Sequence, residues 1–194
     1  MKLFGLTGGV GMGKSTTAQL LRQRHLPLVD TDELARELVQ PGQVALTEIQ
    51  NAFGPKIISD EGQLRRDELA RLVFADPAAR RKLETILHPR IRTRWLARLE
   101  EWKKQGCPLA FVVIPLLFET KAQSHFDKTI CVACSANSQG CRLAGRGWDP
   151  GQINQRIAAQ MPIDDKISRS NFVIWTEGDL ENHALQLDRI LSRL

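Results

Sequence analysis

The stretch "GLTGGVGMGKST", Gly5 to Thr16, sets five glycines among nine residues and then stops them at a lysine and two hydroxyls. Glycine is costly in ordinary helix or strand, so a cluster of it after the apolar run "KLFGL" marks backbone that takes unusual angles or approaches something closely. Gly8 to Ser15 satisfy the spacing G-x-x-x-x-G-K-[ST] in full, between a strand-like segment and the helix-like "STTAQLLRQRH". Such a loop turns consecutive backbone N–H groups toward phosphate oxygens, and the helix behind it adds its positive N-terminal end. The reading therefore assigns Gly8, Gly9, Val10, Gly11, Met12, Gly13, Lys14, Ser15 and Thr16 to a bound nucleoside triphosphate. Lys14 would reach the β- and γ-phosphates, and the Ser15 hydroxyl would ligate Mg²⁺.

Strand and helix patterns alternate outward from this loop, as in an α/β domain with a mainly parallel sheet. Strands are expected near 2–7, 26–30, 109–114, 128–134 and 172–175. The continuous apolar run "LAFVVI" suits a strand buried on both faces, in mid-sheet. Asp76–Pro77 and Asp149–Pro150 each place a capping acid before a proline at the first helical position. The final segment carries Leu180, Ala184, Leu187, Leu191 and Leu194 at helical spacing, an apolar face to cover the sheet. The long, mostly helical stretch between Asp30 and Leu109 exceeds what a βαβ crossover needs and reads as an inserted subdomain.

The totals narrow the class. A chain of 194 residues with 42% hydrophobic and 25% charged residues suits one compact domain. No apolar run approaches the roughly 20 residues of a membrane helix, and the N-terminus lacks a secretion pattern, so no membrane partner and a cytoplasmic location are expected. Cys107, Cys131, Cys134 and Cys141 are too irregular for a disulfide framework and read as free thiols. Cys131 and Cys134 form a C-x-x-C inside an alternating strand pattern, which predicts opposite faces and core packing. The net charge of +5 favours anionic ligands. The tryptophans do not interleave with basic residues as a stacking surface would, so no nucleic-acid partner is expected.

The phosphoryl acceptor is read from acids and motifs further along. In "LVDTDELAREL", Asp30 and Asp32 sit at the C-terminal edge of the second strand, where open α/β sheets place ligands, and next to the phosphate loop if the two strands are near neighbours. A carboxylate there accepts the proton of an attacking hydroxyl or, at Asp30 or Asp32, holds a water of the Mg²⁺ shell. Asp30 has an equally good reading as a helix cap with Glu33, and His88, before Pro89, an equally good one as a helix end. No N-K-x-D or D-x-x-G stretch is present, which disfavours a GTPase switch. The loop alone leaves two alternatives to a kinase of one particular acceptor: another small-molecule kinase such as shikimate kinase, and a regulatory nucleotide-binding ATPase.

Four motifs together, the loop, "DTDELAREL" with Pro41-Gly42, "HPRI" from His88 to Ile91 and "VVIPLLFE" from Val112 to Glu119, resemble the dephospho-coenzyme A kinase family in order and separation. The resemblance implies a three-layer P-loop fold of the nucleoside monophosphate kinase type, with a five-stranded parallel sheet. It implies a core at 1–32, 109–138 and 168–194, a helical acceptor subdomain at 33–108 and a lid at 139–167. It implies transfer of the ATP γ-phosphoryl group to the ribose 3′-hydroxyl of dephospho-coenzyme A, with ATP and Mg²⁺ required. Asp32 falls on the family's base, Arg142 on its lid arginine, and Arg146 is a second candidate. Thr7, Asp32, Arg36, His88, Pro115, Leu116 and Glu119 fall on its acceptor site. The chain departs from the family pattern at Gly147-Trp148, at Ser170-Asn171 and at Thr176.

Overall fold

The computed structural model describes residues 1–193; Leu194 lies outside the described residues. Five strands form one sheet: β1 (Lys2–Gly8), β2 (Leu28–Asp30), β3 (Leu109–Val113), β4 (Lys128–Ala133) and β5 (Phe172–Trp175). All neighbours pair in parallel, in the order β2-β3-β1-β4-β5. The expected strands are thus present with ends shifted by a residue or two, and β3 is buried from Ala110 to Val113 as a strand covered on both faces must be. β1 and β2 are not neighbours, however. β3 lies between them and sets Asp30 two strands from β1, about 10 Å away at ordinary strand spacing.

The chain divides into two compact units, one made of Met1–Asp30 with the chain from Trp102 onward, the other of Thr31–Glu101. In the first, one sheet face packs Phe4, Leu6, Phe111, Val113, Ile130, Val132 and Ile174 against α1 (Lys14–Gln23) and α9 (Leu180–Leu191). The Phe4 and Phe111 rings meet at 5.4 Å between centroids. The other face carries a smaller cluster, Met12, Cys131, Ala133 and Cys134, under Ile163 and Ile167 of α8 (Ile163–Arg169). The strand ends at Ala133, so alternation does not carry to Cys134, and both thiols join one cluster. Burial pushes the Cys131 thiol up to about 11, as expected of core cysteines. Among the described residues no group of three or more His, Cys, Asp or Glu is placed to hold a metal ion, and no helix is long and apolar enough to cross a membrane.

The helices α6 (Ala136–Ala144) and α7 (Pro150–Ala158) precede α8. α7 has the expected start: Asp149 and Gln152 form a reciprocal capping box ahead of Pro150. It buries none of its side chains. The second unit contains α2 (Thr31–Leu38), α3 (Val44–Phe53), α4 (Arg66–Ala75) and most of α5 (Pro77–Lys104), around Val39, Leu46, Ile49, Ile57, Leu69 and Val73. The helix end expected at His88 does not occur; α5 runs through Pro89. The proline removes one backbone donor, and the Arg90 guanidinium donates to the Ile86 carbonyl at 2.7 Å beside the gap.

A buried pair joins α1 to α9. The Thr17 hydroxyl donates to Gly13 O at 3.2 Å, so at 2.8 Å it accepts from His183 Nε2, fixing that nitrogen as the protonated one. Desolvation, helped by the charge of Arg142, lowers the His183 pKa from 6.5. A depressed folded pKa means the unfolded chain binds more protons near neutrality, so this contribution is present above the unfolded value and is lost as pH falls below it. Denaturant titrations between about pH 7 and 5 should show stability falling with pH, and the slope should shrink in His183→Gln, which keeps the donor to Thr17.

Candidate active site

The loop between β1 and α1 is built from positions where a side chain cannot be. A Cβ on Gly8 would lie 2.1 Å from the Val132 carbonyl oxygen of β4, and Gly13, the residue capping α1, sits at a φ of 97°. Gly13 caps without a side chain, which leaves the first-turn N–H groups of α1 directed into the loop. Lys14 curls back over the loop, its Nζ donating to Gly8 O and Gly9 O at 2.8 Å each. Ser15 and Thr16 follow in the first turn of α1, with the Ser15 side chain exposed.

Side chains from outside the loop hold its tip. Gln160, just past α7, accepts from the Val10 N–H through Oε1 at 2.9 Å. Gln139 of α6 donates to the Val10 carbonyl at 2.8 Å. Thr176, beyond β5, donates to Met12 O at 3.1 Å, and the Arg142 guanidinium holds Thr176 twice, at 2.8 Å to Oγ1 and 2.5 Å to O. Arg142 therefore reaches the loop through Thr176, whereas Arg146 is exposed beyond the end of α6. Glu177 accepts from Ser138 Oγ and Ser135 N at the head of α6, both at 2.7 Å, and these bonds hold its carboxyl down at about 2.

The segment after β3 is organised by a residue that sequence reasoning did not single out. Lys166 of α8 is fully buried; its Nζ donates to Pro115 O at 2.6 Å and pairs with Glu119 at 2.8 Å. The same Glu119 oxygen accepts from Met161 N–H at 2.8 Å, and its Oε2 is buried without a partner among the described residues. Thr7 donates to the same Pro115 carbonyl at 3.1 Å. Of the expected acceptor residues, Thr7, Pro115 and Glu119 thus meet in one node, with Leu116 on the same turn. A lysine in "IDDKIS" reads as surface, and only its burial identifies it. Asp32 and Arg36 lie exposed on α2, Asp32 in its first turn, and His88 is half-buried in mid-α5; all three belong to the helical unit.

A parallel five-stranded sheet whose central strand runs through a glycine loop into a helix, with lysine folded over that loop, defines a P-loop kinase fold. Solved structures agree in fold: a dephospho-CoA kinase from Campylobacter jejuni (23% identity, TM-score 0.71, all of this chain and 97% of that one) and a shikimate kinase from Bacteroides thetaiotaomicron (13%, 0.52, 98% of each). A Thermus thermophilus protein of known structure is nearer, at 36% identity and TM-score 0.81 over all of this chain and 97% of that one. The dephospho-CoA kinase family model matches residues 2–182. Dephospho-CoA kinases from Bdellovibrio bacteriovorus and Anaeromyxobacter dehalogenans are 41% and 43% identical over the whole chain, covering 96% and 92% of those proteins. The chain belongs to the dephospho-CoA kinase family, and the shikimate kinase and regulatory ATPase readings are not favoured.

Removing Lys166 would leave a largely buried carboxylate without its cation. Lys166→Met should cost about 3–5 kcal/mol, and adding Glu119→Gln should recover most of it; urea denaturation of the single and double variants measures both.

Proposed function

We propose that this chain transfers the γ-phosphoryl group of ATP to the ribose 3′-hydroxyl of dephospho-coenzyme A, releasing coenzyme A and ADP. The observation that carries the reading is the complete phosphate loop, with Lys14 bonded across its first limb, in a chain matched by the family from residue 2 to 182. Phosphoryl transfer demands mainly positioning and neutralisation of charge. The loop amides and the N-terminal end of α1 supply the positive field, and the Lys14 ammonium adds a full charge held by two carbonyls.

Asp32 is assigned as the base that takes the proton of the acceptor hydroxyl. What supports the assignment is that α2 begins at the residue following β2, with Asp32 in its first turn, and that open α/β sheets bind ligands outside the carboxyl ends of their strands. Arg142 and Arg146 are assigned to the nucleotide side, on the segment 139–167 that acts as a lid. Thr7, Arg36, His88, Pro115, Leu116 and Glu119 are assigned to the acceptor side, with 33–108 as the acceptor subdomain. Excluding water by closure suppresses hydrolysis in favour of transfer.

The residues present fit a magnesium ion held mostly by the nucleotide. No cluster of three or more carboxylate, His or Cys groups exists among the described residues, while the Ser15 side chain is exposed in the first turn of α1. Mg²⁺ characteristically combines phosphate oxygens and waters with only one or two protein groups. Ser15 would ligate it directly and Asp30 or Asp32 through water; the ion would neutralise phosphate charge. The acceptor is a small molecule, neither nucleic acid nor membrane, and the four free thiols suit the reducing cytoplasm.

Release of ADP should require dephospho-coenzyme A, measured by a coupled assay alongside shikimate and nucleoside monophosphates; brisk ATP hydrolysis indifferent to the acceptor overturns the reading. Asp32→Asn should leave ATP affinity within about threefold while lowering kcat by roughly 10²–10⁴, the size of a lost base.

A further inference from the structure

One peptide unit in the phosphate loop is gripped at both ends. The oxygen of the Gly9–Val10 peptide accepts from Lys14 Nζ at 2.8 Å, and its N–H donates to Gln160 Oε1 at 2.9 Å. A peptide is rigid and planar, so a side chain that fixes the N–H direction fixes the carbonyl direction as well. Lys14 leans on that carbonyl and on Gly8 O. Gln139 holds the next carbonyl, that of Val10, so the residue at the tip cannot rotate about either flank without losing a bond.

Gln160 is itself held in place. The residue after it, Met161, donates its N–H to Glu119, and Lys166 bonds the same carboxylate and Pro115 O from full burial. The chain from 160 to 166 is therefore fixed against the turn after β3 and presents the Gln160 amide to the loop. On its other side stands α7, which buries no side chain. Val10 N–H is a donor, so the amide oxygen must be the atom facing it.

We propose that Gln160 is a positioning residue for phosphoryl transfer, acting on Lys14 through the Gly9–Val10 peptide. Its side-chain oxygen holds the loop carbonyl in the direction that carries the ammonium, so seating of the segment after α7 and orientation of Lys14 are one event. This rests on the kinase reading, and it adds a residue to the machinery that the loop motif does not contain.

The test is a double-mutant cycle on nucleotide binding, which needs no acceptor. ATP affinity is measured by titration calorimetry with Mg²⁺ for the full chain, Gln160→Leu, Lys14→Met and the double variant. Gln160→Met serves if branching at Leu prevents folding. Gln160→Leu should weaken ATP binding roughly five- to tenfold in the otherwise unaltered chain and less than about twofold when Lys14 is already Met, the non-additivity of residues that act as a unit. The same variant should lower kcat with dephospho-coenzyme A while leaving the KM for that acceptor unchanged. Equal losses in the two backgrounds, or an acceptor KM that rises with kcat intact, overturn the proposal. An unaltered chain that binds ATP but does not phosphorylate dephospho-coenzyme A refutes the function reading and leaves the binding cycle to be read on its own.

Discussion

The site depends on one steric constraint: between β1 and α1 the backbone passes so close to β4 that position 8 has no room for a side chain, with the Val132 carbonyl where a Cβ would stand. That close passage brings the end of the central strand directly into the first turn of α1. The lysine at the head of that helix then lies against the carbonyls of residues 8 and 9. A bulkier residue would push the loop away from the sheet and separate the helix end from the strand edge. The obstruction is a backbone carbonyl, so no change of side chain at position 132 would relieve it.

The strand that crowds Gly8 is distant along the chain, but the glycine spacing of the loop lies within a few consecutive residues and was legible in the sequence. The same holds for β1, β3, β4 and β5, each an apolar run, and for the Asp149 box ahead of α7, whose partners lie within three residues. What the sequence hid depends on contacts distant along the chain. Strand order is one case, since nothing in "LVD" or "LAFVVI" says that β3 enters between β1 and β2. His88 is another: the preference of the residue before proline predicts a helix end, and the packing of Leu83, Ile86 and Leu87 on the core of the helical unit overrides it. Lys166 and Gln160 were invisible because their partners lie some 45 to 150 positions away and their residue types are those of ordinary surface.

The departures from the family pattern acquire partners in the fold. Asn171 accepts from Thr129 N–H at 2.8 Å at the start of β4 and β5, a bond that ties two parallel strands where their ladder begins. Thr176 bridges Met12 O to Arg142 and so does with a hydroxyl what links the loop to α6. Trp148 lies 4.0 Å from the Arg156 guanidinium, a stacking contact that holds the turn before α7 without a carboxylate.

These attachments divide the segment 139–167 into a fixed part and a loosely held part. α6 is secured by Glu177 at its head, by Gln139 on the loop and by Arg142 on Thr176, and 161–166 is secured on Glu119 and Pro115. Between them, residues 145–159 carry an exposed helix with no buried side chain. Local stability follows buried contacts, so this middle stretch is the part that opens at least cost. Its far anchor begins at Gln160, whose side chain bonds the same Gly9–Val10 peptide that Lys14 holds from the other end.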